Sequence, residues 1–442
     1  MKQLILLLTI LFLNGRGYTQ TNQQRLMTTY DAAHWKTRLV TNPDQITCAA
    51  VPGAAASKAE LKQVKQRLAA NNKETLAAIN YWNAGAPAYR WNQIISAMAF
   101  SKPELQLRMP GSWINLAIYD ATILAWKEKS KYKRARPQDA DPSIRPLVQG
   151  PSTYSYPCEH TVTAAAAATV LAYFFPEKKD SLLQLAHAAS QSRIDAGVQY
   201  PSDAEAGWKL GEQVALQVIE KAKNDGSAAK WDGKMNTDPK KWTGSYPFGI
   251  TLTAFTPLVL RSADQFRPPA PPDFEADMKE MKSFKQTFST KAKAYYWAST
   301  ADAWTELAGK KLFEYGMMDN APAAARVYAV LNCAYHDMAI AIMDAKYAYW
   351  GIRPNQYDTT FKSLIPTPPF PGYPSGHAAG AATSCAVMEY FFPADAAEFH
   401  RMAQECADSR FYAGIHFRTD NEVALRMGDQ LGKYIVQTWM KE

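Results

Sequence analysis

Eight positions in the C-terminal part of the chain could carry out one kind of chemistry: Lys346, Arg353, Ser375, Gly376, His377, Arg410, His416 and Asp420. Three of them are cations, and arginine grips tetrahedral oxyanions through planar, paired N–H donors. A dianion or trianion is the implied guest. The Ser375 hydroxyl and the Gly376 backbone N–H add donors where a helix is expected to begin near His377, and the positive end of a helix dipole favours negative charge. Two histidines complete the set, and imidazole can attack, coordinate or carry a proton near neutral pH.

Asp420 follows His416 by four residues. If a helix runs through that interval, the spacing places the carboxylate on the face of His416, where it can fix the imidazole tautomer. Arg410 and His416 are six apart and cannot share one face of an unbroken helix, so a break is expected near Gly414. Taken singly, each residue also reads as an ordinary charge, cap or core group; it is their joint order that singles them out. His34, His187 and His400 lack such company. His336, beside Asp337, reads as packing more than catalysis, because its counterpart in an internal repeat is Tyr119.

That repeat runs at a constant offset of 217 residues. Lys129, Arg136, Tyr156, Pro157, His160, Arg193 and Asp203 reappear as Lys346, Arg353, Tyr373, Pro374, His377, Arg410 and Asp420, with Asn115 and Asp120 falling on Asn332 and Asp337. The first copy has Cys158-Glu159 where the second has Ser375-Gly376, and Gln199 in place of His416. It therefore reads as a structural remnant, with the active site in the second copy.

Within each copy the segments have helical period. Residues 377–392 are rich in helix formers and stop at Pro393, and 395–409 and 420–439 are amphipathic. Period-two runs are scarce. The expected fold is all-α, two packed helical bundles related by internal duplication. The expected organisation is a signal peptide at 1–20, an N-terminal helical region at 21–225 holding the degenerate copy, a Pro/Gly/Trp-rich connection at 226–290, and the active bundle at 291–442.

The chain has 442 residues, 47% apolar and 20% charged, enough to bury a large core. Its long apolar run, Leu4 to Leu13, follows Lys2 and is far short of the roughly 20 residues that span a bilayer. It reads as a secretory leader, which predicts a secreted or periplasmic protein without stable membrane insertion. The net charge of +8 is spread among acids, with no basic stripe or zinc-finger spacing, so nucleic acid is a poor partner and a small anion a better one. Cys48, Cys158, Cys333, Cys385 and Cys406 have no metal-ligand spacing and read as core residues.

With these segments in hand, the sequence resembles the superfamily joining type-2 phosphatidic acid phosphatases, bacterial acid phosphatases and vanadium-dependent haloperoxidases. The stretches Pro368–His377 and Asp264–Pro269, and the double-bundle length, look closest to the soluble bacterial haloperoxidase-like branch. The resemblance implies that Lys346, Arg353, Ser375, Gly376 and Arg410 bind the oxyanion. It makes His416 the vanadium ligand, or in a phosphatase the nucleophile. It further implies that His377 is the acid–base residue, that Asp420 orients His416, and that Phe370 lines a halide side. Vanadate is the implied cofactor of a haloperoxidase, using peroxide and halide; a phosphatase acting on a phosphoester needs none. A non-catalytic oxyanion binder is a third expectation.

Overall fold

The structure, a computed structural model, describes residues 31–99, 109–298 and 303–441. The expected leader at 1–20 lies outside them. The described residues are helical, with no β-strand.

The chain divides into two compact units, one formed by residues up to Lys223 together with Ala308–Ala329, the other by Asn224–Leu307 and Val330 onward. The first unit opens with α1 (Ala54–Ala69), α2 (Lys73–Trp82) and α3 (Pro87–Ala99). Its repeated part is α4 (Pro110–Tyr132), α5 (Pro137–Ala140), α6 (Glu159–Phe174), α7 (Lys179–Asp195) and α8 (Pro201–Lys223). The chain continues through α9 (Glu275–Ser283), α10 (Phe288–Tyr296), α11 (Ala303–Glu314) and α12 (Ala321–Tyr349). The second copy then repeats the pattern as α13 (Pro354–Tyr357), α14 (Gly376–Phe391), α15 (Ala396–Tyr412) and α16 (Arg418–Lys441). α5, α6 and α7 begin and end 217 residues before α13, α14 and α15, so the sequence offset is also a structural one.

Local chemistry sets the boundaries. α5 and α13 start on proline, whose missing N–H costs nothing in a first turn. α6 and α14 stop two residues before Pro176 and Pro393. Both are apolar around their whole circumference, as central helices must be; Ala164 to Ala168 are completely buried. α6 packs against α4, α7 and α8, and α14 against α15 and α16. Small residues let these axes come close. A methyl group on Gly211 of α8 would overlap the Val162 carbonyl oxygen, and one on Gly428 of α16 the Ala379 carbonyl oxygen.

The segment 226–290, read from sequence as a connection, is instead part of the second unit. Asp337 of α12 accepts the N–H groups of Leu258, Val259 and Leu260 at 2.6, 2.7 and 2.8 Å. Asp120 does the same for Arg38, Leu39 and Val40 in the first unit. Met278 and Met281 of α9 join Phe274, Ile352, Tyr373, Phe411 and Phe417 in one apolar cluster. Polar composition and prolines hid this role, because the segment is fastened through backbone groups that leave no side-chain pattern. The stretch 308–329, expected in the C-terminal bundle, belongs to the first unit.

The α14–α16 crossing gives a direct test. Gly428→Ala should destabilise the protein by about 1–3 kcal/mol through overpacking. Gly53→Ala, at a site with open space, should stay within about 0.5 kcal/mol of the parent. Equal denaturant midpoints for the two variants would contradict the close-packing account.

Candidate active site

The sequence-selected residues sit at element ends of the second unit. Lys346 lies in the last turn of α12, Arg353 immediately precedes α13, and Ser375 caps α14, whose first two residues are Gly376 and His377. Arg410 is in the last turn of α15 and Asp420 in the first turn of α16, with His416 in the break between these helices. Gly414 turns the chain there at φ +73°, a conformation that favours glycine.

Lys346 and Arg353 are fully buried. The Lys346 ammonium donates to the Pro371 and Gly372 carbonyls at 2.7 and 2.8 Å. Arg353 donates through Nε to the Phe370 carbonyl at 3.0 Å and through Nη1 to the Ile415 carbonyl at 2.6 Å. Neutral carbonyls thus orient both cations without neutralising them. Gly372 permits the close fit: a methyl group there would stand 2.8 Å from the Ile352 carbonyl oxygen and 3.3 Å from Asp420 Oδ2. Nothing in the residue types around it announced this glycine.

His416 is held from both sides. Its Nδ1 is 3.1 Å from Asp420 Oδ2 and its Nε2 is 3.0 Å from Arg353 Nη1. A guanidinium can only donate and a carboxylate can only accept. The ring must therefore carry its proton on Nδ1 and present a lone pair at Nε2. No helix spans His416 and Asp420, so the route differs from the expected shared helix face. Asp420 sits in the opening turn of α16 and also accepts the Phe417 N–H at 3.1 Å, the acid half of a capping box. One carboxylate caps the helix and sets the tautomer.

Two buried donors of this site have no hydrogen-bond partner among the described residues, Arg353 Nη2 and Ser375 Oγ. Such groups are costly unless something satisfies them. Beside them, Gly376 faces open space, with nothing within 4 Å of where a methyl group would lie. The Arg410 head is engaged elsewhere, Nε with Ser409 Oγ at 2.9 Å and Nη2 with the Ala294 carbonyl at 3.0 Å, so it contributes charge more than contact. The Phe370 ring lies 5.2 Å from the Lys346 ammonium and 5.1 Å from the Arg353 guanidinium carbon. The Phe248 ring lies against it, tilted by 32° with centroids 6.2 Å apart.

The first unit shows what belongs in the gap. Lys129 and Arg136 keep the carbonyl contacts of their counterparts, with Tyr154, Ser155, Thr153 and Val198. There the Glu159 carboxylate takes Lys129 Nζ at 2.8 Å, Arg136 Nη2 at 3.0 Å and Gln199 Nε2 at 3.3 Å. Glu159 stands at the position of Gly376. The same cradle thus holds a carboxylate in one copy and, in the other, leaves room for a free oxyanion. Tetrahedral phosphate and vanadate fit that donor set.

The electrostatics agree. Burial, then Arg353, lowers the Lys346 pKa, against Asp420. Burial lowers Arg353 to about 10. His416 is held well below its usual value by burial and the surrounding cations. His377, whose own edge is exposed, is lowered to about 3 by desolvation among the site walls and then by the Arg410, Arg353 and Lys346 charges. Burial pushes Asp420 up to about 7, opposed by Lys346 and Arg353. In the first unit the charges of Arg136 and Lys129 outweigh burial and hold Glu159 below the usual carboxylate range.

Three other histidines have local partners of their own. His187 stacks on Trp208 with ring centroids 4.0 Å apart, His400 is 3.2 Å from Glu389, and His336 is buried against Asp337. The five cysteines are buried and not disulfide-bonded, and Cys158 takes the place of Ser375.

Two measurements follow. Nitrogen NMR of labelled imidazoles should find His416 neutral, protonated on Nδ1, throughout the neutral range; an imidazolium there would contradict this geometry. An anion cancels the cationic field, so the His377 pKa must rise on binding, and affinity must strengthen as pH falls from the bound value towards about 3. Sulfate, which carries no titrating proton except in strong acid, should bind with proton uptake by calorimetry, and His377→Gln should remove that uptake.

Residues 113–225 match the PAP2 superfamily model and residues 396–442 match the VCPO second helical-bundle domain. A search of the curated proteins gives no match. Among solved structures, the first bacterial vanadium-dependent iodoperoxidase aligns with a TM-score of 0.60 at 21% identity, over 83% of this chain and 96% of its own. A holo-type bacterial vanadium-dependent chloroperoxidase aligns at 0.56 and 16% identity, over 76% and 92%. The apo-type structure aligns at 0.57 and 16%, over 76% and 93%. The PAP2 match falls on the first copy, so the helical framework persists there after the site residues have changed. The chain matches the PAP2-superfamily model in its first repeat and the vanadium-chloroperoxidase second-bundle model in its second, and it shares the fold of the bacterial vanadium-dependent haloperoxidases.

Proposed function

We propose that the second unit is the active site of a vanadate-dependent haloperoxidase, which oxidises halide with hydrogen peroxide. The observation that carries this reading is the pair of unpartnered donors, Arg353 Nη2 and Ser375 Oγ, beside the space at Gly376 and the lone pair on His416 Nε2. Solved structures sharing the fold over most of the chain are vanadium-dependent iodo- and chloroperoxidases, which favours this chemistry.

Lys346, Arg353, Ser375 and Gly376 would hold the vanadate oxygens, Arg410 would add its charge, and His416 Nε2 is the atom that would bind the metal. When bound, vanadate supplies a Lewis-acidic centre that activates peroxide towards halide without a change in metal oxidation state. The protein's own contribution is preorganised. Asp420 keeps the proton on Nδ1 so that Nε2 stays available. The cations sit in a water-poor site, where they stabilise negative charge far better than in solution. His377, neutral and with an exposed edge, takes and returns a proton at the solvent side. Phe370 covers the two buried cations and gives the approach an apolar wall.

The PAP2 match supports a second reading, a phosphomonoesterase in the same pocket. Here His416 Nε2 attacks phosphorus, the cations stabilise the equatorial oxygens, His377 protonates the leaving alcohol, and water then releases phosphate from the histidine.

One purified sample distinguishes the two. Apo-protein given orthovanadate, peroxide and each halide in turn should halogenate a phenol-type dye, and should release little phosphate from a chromogenic ester without vanadate. His416→Ala should abolish turnover. His377→Ala should lower it by about 10²–10⁴-fold, and Arg353→Lys by about 10²–10³-fold. Phosphate release that vanadate inhibits, with no halogenation, would instead establish the phosphatase; full turnover by His416→Ala would remove both readings.

A further inference from the structure

The first unit retains a guanidinium that its own carboxylate does not neutralise. Arg193, the counterpart of Arg410, is 3% exposed, and it donates through Nη1 to Asn83 Oδ1 at 2.9 Å. Its Nε and Nη2 have no hydrogen-bond partner among the described residues. In the second unit the corresponding atoms are taken by Ser409 and Ala294. Two more nitrogens without partners line the same cavity, Trp126 Nε1 and His160 Nδ1. The nearest buried acid, Glu159, is committed to Lys129 and Arg136, and its Oε1 lies 3.9 Å from His160 Nδ1, beyond hydrogen-bond reach. Asp319 also lines the cavity but is exposed.

We propose that this cavity in the first unit is a binding site for one small monovalent anion of halide size, held by Arg193 Nε and Nη2 and the Trp126 indole N–H. Charge selects an anion. Lys129, Arg136 and Arg193 are three buried cations facing one committed carboxylate, and Asp203 is already paired with Arg134 at 2.7 Å. Size selects a small one: the cavity measures about 40 Å³, while the cradle that would take a tetrahedral oxyanion is filled by Glu159. A water molecule could satisfy the N–H groups but leaves the guanidinium charge uncompensated. Asn83 and Gln149, which line the cavity, are exposed. The site stands on first-unit geometry alone and holds whether the second unit is a peroxidase or a phosphatase.

The probe is bromide, applied to the full chain with phosphate present to occupy the second-unit site. Anomalous diffraction from bromide-soaked crystals should place one ion within hydrogen-bond distance of Arg193 Nε and Nη2. In solution, bromide should raise the thermal midpoint more than fluoride at equal ionic strength, and His416→Ala should keep that effect. Arg193→Gln should lose it. Because Arg193→Gln places a new group in a buried site, Trp126→Phe serves as the milder variant and should weaken bromide binding roughly tenfold. Water alone beside Arg193 in the bromide crystals would overturn the proposal. So would an adventitious ion only, seen in the crystal while bromide stabilisation in solution is absent or indifferent to Trp126→Phe.

Discussion

The second unit is organised around an unbalanced charge. Lys346 and Arg353 are both fully buried, and the Arg353 charge lowers the proton affinity of Lys346. The cost of burying a cation is met in most proteins by an anion on a neighbouring element. Here it is met by carbonyl dipoles from the 370–372 loop and from Ile415, which orient the cations and leave their charge in place. The rest of the unit serves that arrangement. The loop is held because Phe248 donates its N–H to the Pro369 carbonyl at 3.0 Å and the Tyr373 hydroxyl donates to the Pro269 carbonyl at 2.7 Å. A segment that looks like a tether in sequence is thus the outer wall that fixes the donors.

Duplication provides an internal control. In the first unit the identical problem is solved by one acidic side chain, Glu159, placed where the second unit has a glycine. The carboxylate neutralises the cradle and closes it. A glycine at that position leaves the charge for something that arrives from outside. The same replacement pattern converts His416 into Gln199, an amide that donates to the carboxylate and offers no imidazole lone pair. Framework and function have separated, since packing of α6 on α8 needs only the small residues and the glycine of the crossing, which both copies keep.

Much of this was legible in the residues. Constant spacing between two copies exposed the duplication. Differences between the copies then isolated the chemically competent set, and the helix ends followed from proline and glycine positions. The break at Gly414 was legible because Arg410 and His416 cannot face one site from one helix. The pairing of His416 with Asp420 was also legible, but its geometry was not: a capping turn and a helix face share the same four-residue spacing, and only where α16 begins separates them. The roles of Asp120 and Asp337 stayed hidden because their partners are backbone N–H groups, which any sequence supplies.

By itself, the sequence determined composition, period and the order of donors: helices of a given length, a repeated unit, and a second copy with cations, hydroxyl, glycine and imidazoles in place. These are properties of residue type and near-neighbour spacing, to which helix formation and capping respond directly. Tertiary structure decided which of those donors remain unsatisfied. Arg410 is drawn to Ser409 and Ala294 while Arg193 keeps free N–H groups, although the two residues occupy equivalent positions. Burial and hydrogen-bond partnership depend on what distant segments bring to within 3 Å, and the cost of an unpaired charge exists only once water has been excluded.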